Sequence, residues 1–154
     1  MLQNYNFGID IDKTLSNESV FAIHNYHSNQ EDVEKSILRC TLRQGIKAIQ
    51  NKDFNIILIT GRPEKYRSVT IKWLCLNDIN FDKLVMVPND YYPNDFDEEL
   101  YYKFKLDSCI KNHIHFALDD CIEVVELLRK YGINAQLVTD NFETAFNKLF
   151  QENL

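Results

Sequence analysis

Apolar residues in this chain fall into short clusters whose spacing switches repeatedly between that of a strand and that of a helix. Tyr5 to Ile11 is a short, mostly apolar run that ends among acids, the pattern of a buried parallel strand whose tip opens onto a site. Val33, Ile37, Leu38, Leu42, Ile46 and Ile49 then recur at helical spacing. Ser28, with Glu31 three residues later, reads as a capping box, so a long helix over residues 29–51 is expected. Asn55 to Thr60 is β-branched or apolar, too short for a helix and bounded by Gly61 and Pro63, which predicts a second buried strand.

The alternation continues to the end of the chain. Glu64 to Leu76 turns helical, Lys83 to Val87 is a third strand, and residues 88–98 form a polar, aromatic loop rich in turn residues and suited to walling a substrate site. Leu100 to Ile110 is helical and Ile114 to Leu118 is a fourth strand. Cys121 to Tyr131 is a helix closed by Gly132, Ile133 to Val138 a fifth strand, and Asn141 to Phe150 a last helix. Strands alternating with helices imply right-handed crossovers and an α/β fold: a three-layer, doubly wound, Rossmann-like parallel sheet of about five strands. A length of 154 residues without repeat or linker suits one domain over 1–154.

Composition narrows the function classes. With 45% hydrophobic and 26% charged residues and no single-charge tract, the chain is expected to fold rather than stay disordered. No apolar run approaches the roughly 20 residues that cross a bilayer, and the first residues lack a basic start followed by an apolar stretch, so an intracellular, cytoplasmic protein without membrane contact is expected. A formal charge of -6 counts against a tight non-specific nucleic-acid binder. Cys40, Cys75, Cys109 and Cys121 form no CxxC pair and read as reduced, mostly buried thiols. His24 with His27 and His113 with His115 lack a third ligand at a recognisable spacing and read as ordinary histidines. Tyr91-Tyr92 and Tyr101-Tyr102 read as the underside of a loop, with base stacking as the alternative.

The strand tips carry the chemistry. Asp10 and Asp12 stand two residues apart and project in the same sense, so their repulsion calls for a cation, and a hard ion such as Mg²⁺ prefers an all-oxygen shell of this kind. The second strand ends in Thr60-Gly61-Arg62, a hydroxyl beside a glycine whose backbone can approach an oxyanion. The fourth ends in Asp119-Asp120, which could also cap the following helix, and the helix before it carries Lys103 and Lys105.

Four stretches, F-G-I-D-I-D-K-T-L, I-L-I-T-G-R, F-K-L-D and F-A-L-D-D, occur in the order of the four motifs of the haloacid dehalogenase superfamily, which the chain resembles over nearly its whole length. The resemblance implies that Asp10 attacks phosphorus to form an aspartyl-phosphate and that Asp12 acts as general acid and then base. Thr60 and the Gly61 amide would hold the phosphoryl group, with Thr14 and Arg62 beside it, and Lys105 would neutralise its charge. Lys105 is preferred to Lys103 for its F-K-L-D setting. Asp119 would hold Mg²⁺ together with Asp10, the backbone carbonyl of Asp12, and Asp120 directly or through water. Lys13 stands where the family's DxDGT form has glycine, so the backbone there should be tight.

Haloacid dehalogenase enzymes usually carry a cap domain, but the insert at residues 16–28 is long enough only for a flap. Capless members either accept large substrates or close the site by oligomerising, so a homo-oligomer is one expectation. Thr60-Gly61-Arg62 through Tyr66-Arg67 and Lys72-Trp73, and Ala117 to Val125, are similar to the 3′-phosphatase domain of polynucleotide kinase. The resemblance thus implies a Mg²⁺-dependent phosphomonoester hydrolase acting on nucleotides or nucleic-acid 3′-phosphate ends. The alternatives are a phosphatase of sugar phosphates or other small metabolites, a phosphotransferase, and a non-catalytic module that holds phosphate or Mg²⁺. Intact Asp10 and Asp12 argue against the last.

Overall fold

The five segments expected to be strands become five parallel strands in a computed structural model that describes residues 5–50 and 54–151. They are β1 (Asn6–Ile9), β2 (Asn55–Pro63), β3 (Lys83–Val87), β4 (Ile114–Asp119) and β5 (Asn134–Leu137), in the order β3-β2-β1-β4-β5. The two-residue period of a strand sends Phe7, Ile9, Ile56, Leu58 and Leu118 to one face and Ile57, Ile59, Ala117 and Ala135 to the other. Helices α1 (Gln30–Arg39), α3 (Arg67–Leu76) and α6 (Phe142–Gln151) cover the first face, with the short α2 (Lys47–Gln50) beside α6. Helices α4 (Glu98–Lys111) and α5 (Ile122–Lys130) cover the second. This is the three-layer α/β architecture that the alternating pattern predicts, and among the described residues no helix is long and apolar enough to cross a membrane.

The chain leaves β1 towards β2 and β3, then returns on the other side through β4 and β5. Strand order therefore reverses between β1 and β4, and in open α/β sheets ligands bind outside the carboxyl ends of the strands at such a reversal. Asp10, just beyond β1, and Asp119, the last residue of β4, lie at that point.

The long helix expected over 29–51 is broken, and its residue 51 lies outside the described part. α1 stops at Arg39 because the next residues make long-range backbone bonds that a helix could not supply. Leu42 bridges Ser16, the Arg43 amide donates to Leu15 O at 2.7 Å, and Asn17 N donates to Thr41 O at 3.0 Å. Gly45 then takes φ 90°, with its Cα so close to Asn141 and Glu143 that any side chain would collide with them. The expected Ser28 cap is also displaced by one residue. Asn29 caps α1, accepting from Glu31 N and Asp32 N, while Ser28 Oγ accepts from the Asn25 amide.

Candidate active site

β1 ends in a tight loop because one carbonyl, Ile11 O, accepts from the amides of Thr14, Leu15 and Ser16 at 3.1, 2.9 and 3.0 Å. Lys13 sits at the crest with φ 59°, the left-handed conformation that its glycine-like position demands. Arg43 locks this loop from below, its guanidinium donating to the carbonyls of Lys13, Thr139 and Asp140. Nothing in the sequence marked Arg43, a single arginine within an apparently helical stretch.

The loop delivers Asp10 into a buried cluster. Lys105 Nζ, 2% exposed on α4, donates to Asp10 Oδ1 at 2.6 Å, to Asp119 Oδ2 at 2.9 Å and to Ile59 O at 2.8 Å. Thr14 Oγ1 donates to Asp10 Oδ2 at 3.1 Å and lies 3.5 Å from Asp120 Oδ1. Lys103 points to solvent on the same helix, so geometry separates the two lysines. Asp119 Oδ1 accepts from Cys121 N at 3.0 Å, and Cys121, at the N-cap of α5, makes no side-chain capping bond, so the capping that Asp119-Asp120 could also have supplied does not occur.

Oxygens of Asp10, Asp119 and Asp120 lie within 4.8 Å of one another, and these three form the one such group among the described residues. Burial, reinforced by Asp119, Asp120 and Asp12, raises the Asp10 carboxyl well above its ordinary 3.8 despite Lys105. Burial and then Asp119 raise Asp120 as well. Burial works against the Lys105 ammonium, but Asp10 and Asp119 outweigh it and hold the lysine charged. Three carboxylates around one ammonium leave an excess of negative charge carried on hard oxygen donors, a set that fits Mg²⁺.

Asp12 and Arg62 stand apart from this cluster. The β2–β3 register slips between Thr60 and Pro63, and this irregularity turns Arg62 inward, fully buried. Its Nε and Nη2 meet the two oxygens of Asp12, each at 2.9 Å, while Nη1 lies 3.3 Å from Thr70 Oγ1. Arg62 does not line the cavity above the acids. Thr60 is likewise buried, its hydroxyl accepting from the Arg62 amide at 3.2 Å.

That cavity, of about 490 Å³, has Asp10, Asp12, Gly61 and Asp120 at its polar end and aromatic rings around it. Gly61 is required there because a Cβ would come within 2.9 Å of Tyr101 Cε2. Burial raises the Tyr101 hydroxyl, and its ring lies 5.5 Å from Lys105 Nζ. From residues 16–28, which hold one 3-10 turn at Val20–Ala22, Tyr26 reaches across to donate to Gly61 O at 3.1 Å. His27 Nε2 meets Asn94 O at 2.6 Å, joining this segment to the 88–98 loop. Phe96 belongs to the 88–98 loop read as a candidate wall, whereas Phe21 and Tyr26 were not foreseen as lining, since isolated rings in a polar segment carry no periodic signal. All four cysteines are free, and of these Cys75 is exposed and Cys121 half-buried at the cavity. None of the histidines joins the acidic group.

Against known proteins, the family described as "Polynucleotide kinase PNKP phosphatase domain" matches residues 7–142. Among solved structures, a chain of the Pnkp1/Rnl/Hen1 RNA repair complex superposes with a TM-score of 0.64 at 20% identity, over 89% of this chain and 43% of that one. A chain from a second structure of the Pnkp1/Rnl/Hen1 complex gives 0.60 at 21%, over 89% and 46%. The chain thus spans less than half the length of these structural relatives. No curated protein matches it.

Proposed function

Because the chain belongs to the polynucleotide kinase PNKP phosphatase-domain family, of the haloacid dehalogenase type, we propose that it is a Mg²⁺-dependent phosphomonoesterase that removes the terminal phosphate from nucleic-acid ends, 3′-phosphates in particular. The observation that carries this reading is the Lys105 ammonium, 2.6 Å from Asp10 and 2.9 Å from Asp119 beneath the open cavity. It holds the Asp10 carboxyl in place and opposes the effect of burial on its charge, and a nucleophile needs both.

In this reading an Asp10 oxygen attacks phosphorus as the bond from phosphorus to the leaving oxygen breaks, giving an aspartyl-phosphate. Asp12 supplies the proton that the leaving oxygen takes. Water then attacks phosphorus, Asp12 accepts its proton, and the bond to Asp10 breaks to release phosphate. Both oxygens of Asp12 rest on Arg62, so one must let go before Asp12 can serve. The Gly61 backbone holds the transferring group, and Thr14 keeps the second Asp10 oxygen oriented. Asp10, Asp119 and Asp120, with the Asp12 carbonyl, would hold Mg²⁺. When bound, the ion offsets negative charge on the phosphoryl oxygens.

Hydrolysis of small phosphate esters is the second reading, favoured by four acids lining the cavity, Asp10, Asp12, Asp95 and Asp120, against Lys13. Phosphate release with Mg²⁺, with EDTA and by Asp10→Asn, across sugar phosphates, nucleoside monophosphates and 3′- and 5′-phosphorylated oligonucleotides, separates the two. Metal-dependent, Asp10-dependent turnover favouring oligonucleotides supports the first. Preference for small esters supports the second, and silence on every ester removes both.

A further inference from the structure

We infer that the aromatic wall beside the catalytic cavity is a seat for one nucleobase, the terminal base of the phosphorylated end, and that stacking there supplies selectivity in place of contacts to the nucleic-acid backbone. The inference rests on the phosphatase reading above for the position of the phosphate.

Phe21 and Tyr26 stack with centroids 4.9 Å apart and planes 6° apart, and Phe96 lies parallel to Tyr26 within 5° at 6.3 Å. Three ring planes of one orientation therefore stand along the cavity, drawn from the 16–28 segment and the 88–98 loop. Phe96 closes the set with 46% of its surface exposed. A phenylalanine left open beside a polar site loses water when a flat apolar face covers it, and every base offers such a face. A sugar phosphate has none.

The seat is fixed relative to the acids. Tyr26 donates to Gly61 O at 3.1 Å, and the His27–Asn94 bond of 2.6 Å ties the segment bearing Phe21 and Tyr26 to the loop bearing Phe96. Base and phosphate are thereby gauged against the same backbone at Gly61.

Charge argues for the same division of labour. Lys13 is the one lysine or arginine lining the cavity among the described residues, against Asp10, Asp12, Asp95 and Asp120. Phosphates upstream of the terminal one meet no cationic track here, so affinity should depend only weakly on salt, with a log–log slope of about -0.7 per phosphate neutralised.

The test uses two short single-stranded oligonucleotides with 3′-phosphates, one ending in 2-aminopurine and one in an abasic sugar. The full chain should hydrolyse the abasic end with a kcat/KM about tenfold lower, and Phe96→Leu, which keeps an apolar side chain but removes the ring, should bring the two ends together. Binding to Asp10→Asn should quench 2-aminopurine fluorescence, and adding Phe96→Leu or Phe21→Leu should relieve the quench. Equal kcat/KM on both ends, or a quench that survives loss of both rings, overturns the base seat while leaving the phosphatase intact. Absence of turnover on every ester overturns the phosphatase reading instead, and the fluorescence then decides the seat alone.

Discussion

The Arg62 guanidinium lies fork to fork with the Asp12 carboxylate, Nε to Oδ2 and Nη2 to Oδ1, both at 2.9 Å, with Arg62 fully buried and the Asp12 side chain 17% exposed. Removing one partner of such a pair costs more than the pair contributes, because a buried charge is left behind. Asp12→Ala should therefore destabilise by about 3 kcal/mol in urea unfolding. Arg62→Met should cost less, since Asp12 can turn to solvent, and the double variant should recover much of the loss. Additive losses would show that the two side chains are not coupled.

Replacing Lys105 by Met keeps the volume but leaves three carboxylates without their ammonium. The expected result is a loss of kcat of about a hundred- to a thousandfold, the scale set by removing one preorganised donor from an active site. Lys103→Met, on the exposed side of the same helix, should leave kcat within about twofold, measured under saturating substrate.

Stability should respond to pH and metal together. Asp10 and Asp120 have carboxyls raised by burial above their ordinary 3.8, so the stability they contribute is fully present below that value and is lost as pH rises through the raised folded one. Lys105 is raised above its ordinary 10.5, so its contribution is constant below that value and does not shape this window. Without metal, melting temperature should fall as pH rises above 4 on account of these acids. Mg²⁺ competes with protons for the same oxygens, so its stabilisation should be larger at pH 8 than at pH 5. Calorimetry with and without EDTA checks both signs.

A methyl group at Gly61 would sit 2.9 Å from the Tyr101 ring. Gly61→Ala should cost about 1–3 kcal/mol by overpacking and lower kcat/KM by displacing the backbone that faces the phosphoryl group. Adding Tyr101→Leu should restore the melting temperature, whereas no restoration would place the strain elsewhere.

Lys13 holds φ 59°. Lys13→Gly should raise stability by up to about 1 kcal/mol, and Lys13→Val should lower it, because only the first relieves the left-handed backbone. Chemical denaturation of the three proteins orders them.

The inner strands were legible because buried parallel strands are largely continuous apolar runs, as in β2, and the strand Lys83–Val87 has the limits its run predicts. The Asp10, Asp119 and Asp120 group was legible for a related reason: strand tips in a doubly wound sheet converge, so acids at the tips converge too. The break after Arg39 was not, since it is made by bonds to Ser16, Leu15 and Asn17, far along the chain. Nor was the direction of Arg62, which follows from a register slip that leaves no mark in composition. The Tyr26 hydroxyl found Gly61 O by the path of the 16–28 segment, whose course depends on the finished fold.

The reach of Arg43 to the Thr139 and Asp140 carbonyls has a consequence for synthesis. Those partners follow it by 96 and 97 residues, so at about 5–20 residues per second they leave the ribosome roughly 5–20 s after Arg43 does. Through that interval the guanidinium that steadies the Lys13 carbonyl lacks two of its acceptors, and the Asp10 loop lacks its floor. A nascent chain halted before Thr139 would carry every proposed catalytic side chain and still be inert. Assembly of the Asp10 loop would then wait for Thr139 and Asp140, just ahead of α6, to reach Arg43.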